Sequence, residues 1–112
     1  GRGEHDNIVN APLRAGDKGA SFREAMESRV LKRLDGFAPD LIVVSAGFDA
    51  HWRDPLGSVE LIEEDYAWVT EKLMDVARRH CGGRLVSVLE GGYDLEGLSK
   101  SAAAHVETLM GA

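Results

Sequence analysis

The chain has 112 residues, 44% of them hydrophobic and 29% charged, proportions that suit one globular domain and exclude a disordered segment. Acidic residues outnumber basic ones by 19 to 13, for a net charge of −6, which argues against direct nucleic-acid binding, because such binders carry a basic patch. The longest apolar run, Leu41 to Ala46 broken by Ser45, is far too short for a membrane span. No secretory leader opens the sequence, and the single cysteine, Cys81, has no internal disulfide partner, so a reducing, cytoplasmic setting is expected. The first Met is Met26, and the sequence reads as a piece of something longer.

Residues 1–7 are polar and are expected to fray. Ile8-Val9-Asn10-Ala11 is a short, partly β-branched candidate strand, ended by Pro12. Ser21-x-x-Glu24 has the form of a capping box and predicts a helix start. Phe22, Met26, Val30, Leu34 and Phe37 then recur at helical spacing. Gly36 is the expected stop, and Pro39 forbids continuation. Leu41-Ile42-Val43-Val44-Ser45-Ala46 does not alternate, the pattern of a strand buried on both faces of a parallel sheet. A loop from Phe48 to Gly57 follows. Glu63-Glu64-Asp65 and Arg78-Arg79-His80 place acids at one end of the next helix and bases at the other, matching its dipole. Tyr66, Val69, Leu73, Val76 and Ala77 form its apolar stripe, and Gly82-Gly83 closes it. Leu85-Val86-Ser87-Val88-Leu89 is a second buried-type strand. Asp94 can cap the last helix, whose inner face is expected to carry Leu95, Leu98, Ala102, Val106 and Leu109. This alternation predicts an α/β fold with a parallel sheet and flanking helices.

Ligands of open α/β sheets bind outside the carboxyl ends of the strands, which singles out Ala46-Gly47-Phe48-Asp49-Ala50-His51 and Glu90-Gly91-Gly92-Tyr93-Asp94. If the two strands are neighbours, about 4.8 Å apart, Asp49 and Tyr93 share one rim. Asp49 reads equally as a functional carboxylate or a loop-capping residue. Asp49 and His51 at i, i+2 resemble part of a zinc shell, but catalytic zinc takes three protein ligands, and a surface histidine beside a turn Asp explains the pair as well. Tyr93 follows two glycines that leave room for a ligand. Its phenol could donate to a developing oxyanion or simply pack over the helix start. His5 lies in the frayed start, His80 suits a helix C-terminus, His105 reads as structural, and Cys81 as a small core residue.

Asp40-Leu41-Ile42-Val43-Val44-Ser45-Ala46-Gly47-Phe48-Asp49-Ala50-His51, then Asp54-Pro55-Leu56-Gly57, then Leu89-Glu90-Gly91-Gly92-Tyr93-Asp94-Leu95, resembles the histone deacetylase and acetylpolyamine amidohydrolase family, in its class II-like and bacterial branch. The resemblance runs back through Asn7 to Leu13 and forward to the end. It implies a C-terminal segment, residues 1–112, of a three-layer, mainly parallel arginase/deacetylase-like fold. It implies a Zn2+-dependent hydrolase that cleaves the acetyl amide of acetyl-lysine or another acetylated amine, with a histidine pair handling protons. Carried over by position, Asp49 matches a zinc ligand, and Tyr93 the tyrosine that polarises the carbonyl. Leu56 matches the apolar channel wall, Gly92 the glycine run flanking that channel, and His51 a position that is not a ligand.

The family's other zinc ligands and its histidine pair have no counterpart among the four histidines here, so the isolated chain is expected to be inactive. Relatives tend to have Thr where this chain has Ile62, a lost helix cap worth about 1 kcal/mol. Strands that intervene in the family's sheet are absent, which predicts exposed edges and self-association or marginal stability. A stand-alone, non-catalytic α/β interaction module of the same ancestry is the alternative. An unrelated anion-binding domain using Gly91-Gly92 is a more distant one. Apolar Leu56, where a carboxylate would attract a polycation, favours acetyl-lysine-like substrates over polyamines.

Overall fold

The computed structural model describes residues 1–111. Helix α1 (Gly19–Ala25) runs without a break through a π-helical segment (Met26–Leu31) into α2 (Lys32–Phe37). Strand β1 (Ile42–Ala46), helix α3 (Glu63–Cys81), strand β2 (Leu85–Leu89) and helix α4 (Leu95–Leu109) follow. The strands pair in parallel, with Ile42 opposite Leu85 and Ala46 opposite Leu89. Among the described residues no helix is long and apolar enough to cross a membrane.

The helices cover one face of this sheet. Val76, Ala77 and Cys81 of α3 close on Ile42, with Leu34, Val44 and Leu85 around them. A second cluster joins Ala46, Phe48, Leu61 and Tyr66 to Phe22, Leu98 and Ala102. Cys81 is thus the small core residue expected of it. The other face, with Val43 and Ser45 in register with Val86 and Val88, is exposed. The parallel α/β arrangement is as expected, but the chain supplies helices to one side only. The non-alternating strands suit two-sided burial, and half of that burial has no partner among the described residues.

Several local expectations need correction. Residues 8–11 form no strand; Ile8 N–H donates to Arg2 O at 3.1 Å, and Asn10 O accepts from Arg29 at 3.4 Å. Ser21 does not start a helix, because α1 begins at Gly19 with Lys18 as its uncapped N-cap. The earlier start is imposed by tertiary pairing: Lys18 bridges Glu60 in parallel, Glu60 N–H donates to Asp17 O at 2.7 Å, and the Asp65 carboxylate lies where a side chain at residue 19 would sit. Gly36 does not stop the helix either. Ala38 does, in the left-handed region at φ 53. The π-helical segment adds a residue to its turn, and Phe37, in step with the stripe by sequence, lies exposed.

The later elements follow their signals more closely. Ile62 is the N-cap of α3 and offers no side-chain acceptor, but Asp65 Oδ2 accepts from Ile62 N–H at 3.0 Å. Gly82 ends α3 at φ 61, and both Gly82 and Gly83 return N–H groups to Ala77 O. The Asp94 carboxylate caps α4, accepting from Gly97 N–H at 2.7 Å. The buried face of α4 is rotated from the expected one. Gly97, Ser101 and His105 face inward, while Leu95 and Val106 are exposed. Small residues let α4 approach closely, and His105 fills the remaining space with a polar network.

Candidate active site

The loops after β1 and β2 are stitched together beyond the sheet. Glu90 N–H donates to Ala46 O at 2.9 Å, and Phe48 N–H to Gly91 O at 2.8 Å. This carries the parallel ladder one step further and sets the Asp49 turn against Gly91. The half-buried Asp49 carboxylate lies over glycine backbone on both sides. A Cβ on Gly47 would come within 2.9 Å of Asp49 Oδ1, and one on Gly91 within 2.8 Å of Oδ2. Gly57 packs against the Asp49 carbonyl. The glycines therefore form a cradle that any side chain would fill. No hydrogen bond among the described residues reaches the Asp49 carboxylate. It is not the loop-capping Asp that one reading of the sequence allowed. Burial pushes the Tyr66 phenol up, and the negative charge of Asp49 adds to the shift. Among the described residues the buried Tyr66 hydroxyl has no partner in good hydrogen-bond geometry.

His51 belongs to a different environment. The turn at Asp49–Ala50 breaks the extended geometry on which an i, i+2 chelate depends. His51 is 1% exposed, which rules out the surface histidine that one reading of the pair allowed. Its Nδ1 accepts from Arg53 N–H at 3.2 Å, and its Nε2 lies 3.4 Å from Glu63 Oε1. The ring abuts Gly97 at the start of α4. It ties the loop to the N-terminal turns of α3 and α4.

Tyr93 is 56% exposed and Leu56 72% exposed, so both side chains are open to a ligand. Gly92, between Gly91 and Tyr93, has φ 145 and lies where a Cβ would meet Leu98 Cδ1 at 2.9 Å. Only glycine suits both conditions. Asp54 is a residue whose part in the site sequence reasoning missed. Its Oδ1 accepts from Leu56 N–H at 2.8 Å and Gly57 N–H at 3.0 Å, and its Oδ2 accepts from Tyr93 N–H at 2.8 Å. Burial pushes the Asp54 carboxyl up, but these backbone donors outweigh it and hold the pKa below the usual carboxylate range. Asp54 was in view as part of Asp54-Pro55-Leu56-Gly57, but its link to a residue 39 positions away left no local signal.

As a zinc site the chain is partial. A carboxylate free of protein donors, in a glycine cradle, suits a hard or borderline cation, but catalytic zinc takes three protein ligands. Among the described residues no group of three His, Cys, Asp or Glu side chains could hold a metal. The Asp49 carboxylate could serve as one ligand of such a site and could not by itself hold the ion.

The family described as "Histone deacetylase domain" matches residues 1–109. The chain is 46% identical over 103 residues to the type-2 histone deacetylase 1 of Dictyostelium discoideum, an overlap of 92% of this chain and 7% of that protein. It is 41% identical over 110 residues to a histone deacetylase-like amidohydrolase of Pseudomonas aeruginosa, covering 98% of this chain and 29% of the relative. Its backbone matches the solved structure of the histone deacetylase Clr3 with a TM-score of 0.84 and 36% identity, over 91% of this chain and 17% of that one. The chain spans less than a third of the length of each of these. With the parallel strands, their stitched loops and the profile match along nearly the whole length, the chain belongs to the histone deacetylase family.

Proposed function

We propose that this chain is the C-terminal part of a zinc-dependent deacetylase, contributing one metal ligand and the carbonyl-polarising phenol to an active site completed by other residues. The observation that carries the reading is the Asp49 carboxylate, unbonded to protein and cradled by Gly47 and Gly91, with Tyr93 on the glycine loop beside it. Asp49 would hold Zn2+, whose chemistry when bound is Lewis-acid polarisation of an amide carbonyl and activation of water. The Tyr93 phenol donates a hydrogen bond to the carbonyl oxygen, and that bond strengthens as negative charge develops there. Gly92 lets the loop pass closely over Leu98 and Phe48 just before Tyr93. Leu56 offers an apolar surface to the methylene chain of an acetyl-lysine-like substrate, in preference to a polycationic amine.

The test uses the zinc-loaded deacetylase domain that contains this chain. Tyr93→Phe should lower kcat by about 100-fold, the cost of one oxyanion donor, with zinc content unchanged. Asp49→Asn should lose zinc. Full turnover in Tyr93→Phe, or full zinc retention in Asp49→Asn, contradicts the assignment. A second reading, a non-catalytic module that binds a partner, is favoured by the exposed valines of the open sheet face. It predicts that neither substitution affects any activity of the whole protein.

A further inference from the structure

We propose that Asp54 is the positioning residue that sets Tyr93 in register with Leu56; the inference rests on the reading of Tyr93 as the carbonyl-polarising phenol. The argument starts from how Asp54 uses its two oxygens. Oδ1 accepts from the backbone N–H groups of Leu56 and Gly57 and shapes the turn that presents Leu56. This is ordinary local turn chemistry, and one oxygen suffices for it. Oδ2 is not needed by the turn. It reaches across to the second loop and accepts from Tyr93 N–H at 2.8 Å. Asparagine could supply the first function, but not both, because its amide would turn N–H groups toward a backbone N–H. Asp54 is 6% exposed, and burying a charged carboxylate is costly unless it is fully hydrogen-bonded. Three backbone donors meet that condition.

Tyr93 has little else to hold it. Among the described residues no other side chain hydrogen-bonds to Tyr93, and its phenol is without a hydrogen-bond partner. Gly91 and Gly92 precede it and have no side chains to pack, and Gly92 sits in a conformation that glycine visits freely. Arg53 also joins the loops, through Asp94 at 3.3 Å and Glu96 at 3.0 Å. Those half-exposed pairs hold the start of α4, and the Asp54 bond is the side-chain tie between the Leu56 turn and residue 93 itself. Through Gly57, packed on the Asp49 carbonyl, the same turn touches the segment that carries the proposed ligand. One buried carboxylate thus joins three segments that must keep their spacing for a phenol to meet a carbonyl.

A double-mutant cycle in the zinc-loaded domain tests this. Asp54→Asn should lower kcat by about 10- to 100-fold, the scale of a misplaced catalytic group, with KM changed less than kcat and zinc content retained. In a Tyr93→Phe background the same substitution should change kcat by less than about twofold, because effects routed through one group do not add. A kcat within twofold of wild type for Asp54→Asn, or an equal fall in both backgrounds, overturns the proposal while leaving the role of Tyr93 intact. Wild-type turnover in Tyr93→Phe alone overturns that role, and this inference with it. If Asp54→Asn does not fold, replacing the residue-93 amide by an ester removes the single N–H and keeps both side chains. A fall in kcat of about tenfold is then expected, and unchanged kcat rejects the proposal.

Discussion

At Gly91 the space for a side chain is already taken by the Asp49 carboxylate. Gly91→Ala should push that carboxylate aside and weaken zinc binding by about 10- to 100-fold, the usual scale for disturbing a ligand's surroundings, with little loss of thermal stability. Chelator competition on the complete domain measures it, and unchanged affinity would mean that the cradle does not shape the site. His105 has a structural role. Thr70 Oγ1 donates to Tyr66 O at 2.6 Å, so its lone pair must accept from His105 Nδ1–H at 2.7 Å. That leaves His105 Nε2 to accept from Ser87 Oγ at 2.8 Å. Burial lowers the His105 pKa below 6.5, so the unfolded chain takes up the proton first. This contribution to stability is complete above about pH 6.5 and declines as pH falls toward the folded-state value. Imidazole 15N NMR should show a neutral, Nδ1-protonated ring persisting below pH 6.5. A ring that titrates like a free histidine would rule this out.

At the scale of elements, the stops and caps that depend on one residue were legible. Gly82 ends α3 and Asp94 caps α4 because each device is local chemistry carried by a side chain or its absence. The helix from Gly19 to Phe37 was less legible at both ends. Its start is set by pairing with the segment around Glu60, and its end falls on Ala38 rather than Gly36. A left-handed alanine costs about 1–2 kcal/mol, so Ala38→Gly should stabilise the protein by about 0.5–1 kcal/mol once the greater freedom of the unfolded chain is counted. Denaturant unfolding of the domain reads this directly, and a loss of stability would show that Ala38 makes contacts worth more than its strain. The inner face of α4 was read only in part: Leu98 and Ala102 pack on the core as expected, but apolar spacing also favoured Leu95 and Val106, which are exposed. The packing selects Gly97, Ser101 and His105, which permit close approach and complete a hydrogen-bonded chain.

For the molecule as a whole, the sheet has a covered and an uncovered side. The accessible surface is 7027 Å² for 12.1 kDa, against about 6,000 Å² for an independent domain of that mass. Val43, Val86 and Val88 on the open face account for part of the difference, and both strands are sheet edges. The 112-residue chain alone should therefore self-associate and show no deacetylase turnover. Sedimentation velocity across a concentration series and a zinc-supplemented assay test the two parts. A monomer with a sharp thermal transition, or turnover with stoichiometric zinc, would show the chain to be self-sufficient.

By itself the sequence determined the parallel α/β alternation, the two site loops, and Asp49, Leu56, Gly92 and Tyr93 as the residues to examine. All of these reside in local runs, turns and motifs that a chain carries wherever it is placed. Only the tertiary structure decided that the glycines cradle Asp49, that His51 is buried, that one sheet face lies open, and that Asp54 reaches Tyr93. Each of those depends on contacts between distant segments, and the physical reason is common to them. Once β1 and β2 pair, the backbone hydrogen bonds of their following loops determine which side chains meet.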